Sequence, residues 1–222
     1  GEVLAMASLP EFDPNALDDE GRSHVFNKVT NQVYELGSTF KIFAAAQAMD
    51  LGLVTPETPV DTQSLIVGRK RFSEFENKNY GPTKTVSEVM EVSSNRGTGH
   101  IALMIGAERQ KAFYKALGLL DPSPVELVEA PGARPLVPKK WTELDTVTAS
   151  FGHGMSSSPL NLAAAYATIA NGGIKVTPTL LHRNEVMIGP RVLSEQAALD
   201  SIIMLRRVVT NGTASMAKMD EY

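Results

Sequence analysis

Apolar residues recur at helical spacing in several stretches of this chain, with turn-forming residues between them. Ser38 to Leu51 (STFKIFAAAQAMDL) is apolar on nearly every face and rich in alanine, and Gly52 follows as a stop. That pattern predicts a buried helix. Asn161 to Ala170 (NLAAAYATIA) predicts a second, ended by Asn171-Gly172-Gly173, and Glu195 to Val209 a third, with Ala198, Ile202, Leu205 and Val209 forming its apolar stripe. Shorter helices are predicted at Thr85–Val92, Gly99–Met104 and Glu108–Leu117, the last closed by Gly118.

Alternating or β-rich patterns are confined to short runs. Val3 to Ser8 predicts a strand, SLIVGRKRF a short hairpin, and IKVTPTLL an edge strand broken by Pro178. Pro10 to Asn31 is polar and turn-rich, which predicts a long surface loop. The five prolines between Pro122 and Pro138 make that segment an extended connector. Strand signals at the two ends therefore surround a helical middle. The expected fold class is α/β (α+β): an antiparallel sheet flanked by helices, with a mostly helical insertion. Residues 1–53 and 159–222 would form the sheet-side lobe and 54–158 the helical one.

Composition narrows the functions. A chain of 222 residues, 43% hydrophobic, can bury a substantial core. A net charge of -4 without basic clusters argues against nucleic acid as a partner. The absence of cysteine excludes thiolate catalysis and a thiolate metal site, and His24, His100, His153 and His182 lack ligand spacing. No apolar run is long enough to span a bilayer. Gly1-Glu2 enters VLAMAS like the return strand of a hairpin, and KMDEY stops without a natural boundary, so the chain reads as part of a longer protein.

The candidate chemistry begins with Ser38 and Lys41, which are three apart at the head of the alanine-rich helix and so share a face. Together they supply a nucleophile and a base, provided that burial or a nearby cation lowers the lysine pKa from about 10.4. The spacing is a weak signal by itself, and it occurs again at Ser215 and Lys218, in a terminal segment with no comparable helix behind it. Ser93-Ser94-Asn95 adds a hydroxyl and a carboxamide on one short turn, the groups an acyl-transfer site needs to relay a proton and hold an amide.

The ordered pair S-x-x-K and S-x-N resembles the penicillin-binding protein and serine β-lactamase superfamily. GEVLAMASLPEFDPN, YELGSTFK, VSSNRGT and FGHGMSSSPLNLAAAYATIANGG together resemble the transpeptidase domain of class B penicillin-binding proteins, in particular the division type, over essentially the whole chain. The resemblance implies that Ser38 is acylated by a D-alanyl-D-alanine stem peptide or by a β-lactam, with Lys41 as its base and with no metal or organic cofactor. It implies that Ser93 passes the proton to the leaving amine and that Asn95 holds the substrate amide and positions Lys41. Ser94 and the turn Gly152-His153-Gly154 are candidates for substrate contact, His153 in a structural rather than a catalytic role. The resemblance further implies the periplasmic face of the bacterial inner membrane, an anchor outside these residues, and cell-wall synthesis or division membrane proteins as partners.

One family element is missing. The K-T-G strand, which in the family binds the substrate carboxylate and supplies the second oxyanion N–H, does not occur in these residues. Three alternatives to transpeptidation stand beside this reading: a β-lactamase or D,D-carboxypeptidase, in which water deacylates the enzyme, a β-lactam sensor that stays acylated, and a silent scaffold that never acylates, the one that absence of the strand would favour.

Overall fold

The computed structural model describes residues 1–16, 19 and 25–219; His24 lies outside them. A 3₁₀ turn at Gly37–Phe40 runs directly into α1, Lys41–Asp50. This helix is central because its side chains are apolar and mostly small: Phe43, Ala44, Ala45, Ala46 and Ala48 have no exposed surface. Alanine lets neighbouring backbones approach closely, and α3, Asn95–Ile105, and α7, Glu195–Thr210, both pack on α1. Edge-to-face contacts of Phe40 with Phe43 and Tyr114, and of Tyr114 with Trp141, complete this core.

The remaining helices are α2 (Val86–Glu91), α4 (Ala107–Ala116), α5 (Glu143–Ser150) and α6 (Pro159–Ala170). Their starts reflect side-chain capping. Thr85 with Glu88 and Thr142 with Asp145 form capping boxes, and Ser94, Ser158 and Ser194 cap α3, α6 and α7. The five helices expected beyond α1 form with ends shifted by a few residues, and α5 is an addition. The apolar stripe of α7 is displaced from its expected phase: Ala197, Ala198, Ser201 and Met204 are buried, whereas Ile202 is exposed.

Among the described residues, strands are few and short. β1 (Pro59–Asp61) pairs antiparallel with β4 (Thr83–Thr85), and β2 (Ile66–Val67) with β3 (Lys70–Arg71), which forms the hairpin expected in SLIVGRKRF. The strands expected at Val3–Ser8 and in IKVTPTLL do not form ladders. They touch through one parallel bridge, Glu2 with Thr179, and Ile174 bridges Arg191. Pro178 removes a donor from the second segment, and Leu4 is 89% exposed, so alternation there has no covered face to specify a register. The connector of residues 122–138 holds only a 3₁₀ turn at Ala130–Gly132.

Candidate active site

Ser38 stands in the 3₁₀ turn that opens α1, and its side chain is exposed while Lys41, one turn later, is buried. The turn is held from two sides. Tyr166 of α6 donates its hydroxyl to the Thr39 carbonyl at 2.8 Å, and the Gly37 N–H donates to the Gly152 carbonyl at 3.2 Å. Among the described residues the Ser38 N–H, in the first helical turn, makes no backbone hydrogen bond and can serve a ligand oxyanion.

The Lys41 amine crosses to the turn between α2 and α3, where it donates to the Ser93 carbonyl at 2.5 Å and to Ser93 Oγ at 2.8 Å. Burial pulls its pKa from 10.5 down to about 8, against the attraction of the Glu74 carboxylate, which raises it. Roughly one amine in ten is then neutral at pH 7, where a free lysine would be neutral in well under one in a thousand. Among the described residues the Ser38 hydroxyl makes no hydrogen bond, so the structure brings Lys41 to Ser93 and leaves Ser38, three residues before Lys41 in the chain, exposed.

The Ser93–Asn95 turn has an unusual backbone. Ser93 has φ 57, a left-handed conformation that a residue bearing Cβ adopts at a cost. Ser94 is fully buried; its hydroxyl donates to Glu74 Oε1 at 2.6 Å and accepts from the Gly97 N–H at 3.0 Å. That burial leaves no surface for the substrate contact expected of Ser94, which serves instead as the cap of α3. Asn95 donates its side-chain amide to the Ser73 carbonyl at 3.2 Å and makes no hydrogen bond to Lys41 among the described residues.

Phe151-Gly152-His153-Gly154 packs against the segment that leads into Ser38. Tyr34 and Ser157 exchange both backbone hydrogen bonds, at 3.0 and 3.1 Å. Glu35 receives the Gly154 N–H at 2.9 Å on one carboxylate oxygen and faces His153 Nδ1 at 3.2 Å with the other. Gly152 is required by space as well as by its φ of 73: a Cβ there would stand 2.2 Å from the Gly37 carbonyl oxygen. Gly152→Ala is expected to lower the thermal midpoint by about 5–10 °C. Gly68→Ala, with φ 59 but open space around it, should cost only about 2–4 °C. Thermal unfolding followed by circular dichroism checks both, and equal losses would remove the clash from the account.

Glu74 and Glu35 are the site residues that sequence reasoning missed. Glu74 sits in the charged run SEFENK, where nothing marks one carboxylate as buried. Glu35 had a usable signal in its place three residues before the candidate nucleophile.

The arrangement can be set beside known proteins. Residues 1–222 match the family described as penicillin binding protein transpeptidase domain. The chain is 36% identical over 219 residues to the probable peptidoglycan D,D-transpeptidase FtsI of Caulobacter vibrioides (strain NA1000 / CB15N), covering 96% of this chain and 36% of that protein. It is 30% identical over 213 residues to the peptidoglycan D,D-transpeptidase FtsI of Escherichia coli (strain K12), with 96% and 36% covered. Among solved structures, the apo transpeptidase domain of Burkholderia pseudomallei penicillin-binding protein 3 superposes with a TM-score of 0.81 at 33% identity, over 88% of this chain and 60% of that one. The chain thus spans about a third of the length of the curated relatives it matches.

Proposed function

The chain belongs to the penicillin-binding protein transpeptidase family, and from that premise we propose that it carries the acyl-transfer site of a peptidoglycan D,D-transpeptidase that β-lactams also acylate. The observation that carries this reading is the Lys41 amine, buried, lowered to about 8 and bonded to Ser93, one helical turn from the exposed Ser38 hydroxyl. A lysine in this state takes up a proton near neutral pH, which an ordinary surface lysine does not.

In the reaction proposed, neutral Lys41 takes the Ser38 proton as Oγ attacks the carbonyl carbon of the penultimate D-alanine. The Ser38 N–H stabilises the oxyanion of the tetrahedral intermediate. Collapse breaks the peptide C–N bond, and the terminal D-alanine leaves as its amine, which receives the proton from Lys41 through Ser93 Oγ. An amine of a neighbouring stem peptide then attacks the Ser38 ester, forms the cross-link and restores the hydroxyl. Asn95 and the Gly152–Gly154 turn border the path of the donor peptide. Among the described residues no helix is long and apolar enough to cross a membrane; the reading puts the reaction on the periplasmic face of the inner membrane, beside the membrane proteins of wall synthesis and division.

Incubation of the intact protein with a penicillin should give one adduct, on the peptide containing Ser38. With a D-alanyl-D-alanine donor and an amine acceptor, D-alanine release should be matched by cross-linked product. Release matched by hydrolysed donor would assign the hydrolase alternative, an adduct that never turns over the sensor, and no adduct the scaffold.

A further inference from the structure

We propose that Glu74 is a positioning residue for this site: its carboxylate clamps the Ser93–Asn95 turn in the conformation that presents Ser93 to Lys41. The inference rests on the acyl-transfer reading above and adds to it a residue outside the three-residue turn and the Ser38 helix.

Glu74 is 2% exposed, and each of its acceptor atoms is used. Oε1 accepts from the Ser94 hydroxyl at 2.6 Å and from the Arg96 N–H at 3.3 Å, while Oε2 accepts from the Asn95 N–H at 2.6 Å. Three donors thus converge on the two oxygens of one carboxylate. Its neighbours in the chain are tied to the same turn. The Phe72 carbonyl accepts from Arg96 Nε at 3.1 Å and the Ser73 carbonyl from Asn95 Nδ2 at 3.2 Å. Residues 72, 73 and 74 are thus each joined to residues 94–96.

This clamp accounts for the backbone of Ser93. A serine at φ 57 is held there only if its surroundings over-determine the turn, and the residues immediately after it are the ones Glu74 grips. The Ser93 carbonyl and hydroxyl, both bonded to the Lys41 amine, depend on that turn. Glu74 also acts at a distance: its negative charge favours protonated Lys41 and opposes the effect of burial. Among the described residues the Arg96 backbone bonds this carboxylate and the Tyr80 phenol feels its charge, with Glu76 and Lys78 acting on the same phenol. Burial and Glu74 together hold the Tyr80 phenol above its usual range.

Two variants of the intact protein test the assignment, with the second-order rate of acylation by a fluorescent penicillin measured from about pH 5.5 to 9.5. Glu74→Gln keeps the shape but turns one acceptor into a donor and removes the charge. Its maximal rate should fall by about tenfold, and the acid limb of its pH profile should move to lower pH, because Lys41 loses the attraction that favours its protonated form. Glu74→Asp keeps the charge, so its limb should stay at the wild-type position with a smaller loss of rate. A purely structural glutamate would lower the rate or the thermal midpoint without moving the limb in Glu74→Gln, and that result overturns the proposal. Wild-type rates and limbs in both variants overturn it as well, as does loss of the folded circular dichroism signal in both. An unlabelled Ser38 in the wild type fails the acyl-transfer reading itself; a labelled Ser38 with an unchanged Glu74→Gln fails this proposal alone.

Discussion

Ser38→Ala is expected to reduce covalent labelling by a penicillin to background, while Ser215→Ala labels at the wild-type rate. Both serines begin an S-x-x-K sequence, and both lie in 3₁₀ turns, at Gly37–Phe40 and Ser215–Ala217. They differ in the structure on their C-terminal side. Behind Ser38 runs a ten-residue helix at the centre of the core, and its lysine is buried on Ser93. Behind Ser215 the turn simply ends; Lys218 is exposed and its side chain has no hydrogen bond among the described residues, and Met216 is fully exposed. A nucleophile needs a base held partly out of water, and of the two lysines only Lys41 is buried. Intact mass after incubation decides the matter: an adduct that survives in Ser38→Ala would sink the assignment, and one lost in Ser215→Ala would bring the second pair into the site.

Much of this was legible in the sequence, and the exceptions have physical causes. The helices were readable because their signals are local: alanine content in α1, helical spacing of apolar residues in α6 and α7, and glycine after Leu51 and Leu117. α5 was overlooked because ELDTVTAS is rich in β-branched residues, although Thr142 and Asp145 spell a capping box. The phase of α7 was misjudged because isoleucine outranks alanine in any hydropathy count, whereas close packing on α1 and α2 selects the small Ala197, Ala198 and Ser201. Strands depend on partners distant in the chain, so alternation at Val3–Ser8 gave a pattern without a ladder. The same limit applies to the site. Ser38, Lys41, Ser93 and Asn95 announce themselves by spacing, but the burial of Ser94 and the approach of Glu74 come from a contact across twenty residues that no local pattern encodes.

Lys41→Arg is expected to slow acylation of Ser38 by about 100-fold or more and to abolish its pH dependence in the neutral range. The sign comes from the base role. A general base works only when neutral, and burial has brought the Lys41 pKa from 10.5 down to about 8. Well below that value the wild-type rate should rise about tenfold per pH unit; it should level off above about pH 9. Lowering from 10.5 to about 8 raises the neutral fraction at pH 7 by roughly 300-fold over a free lysine, which is the advantage the buried position confers. Arginine keeps the positive charge, and its guanidinium can still donate to the Ser93 carbonyl, so the turn retains a partner. It cannot lose its proton in this range, and so it offers no lone pair to the Ser38 hydroxyl there. Loss of rate across the whole profile, with the rising limb gone and the circular dichroism spectrum unchanged, is therefore the signature of a missing base rather than of a disturbed turn. A variant that keeps the limb near pH 8 would place the titrating base elsewhere, and an unchanged rate would leave Lys41 as a donor that merely secures Ser93.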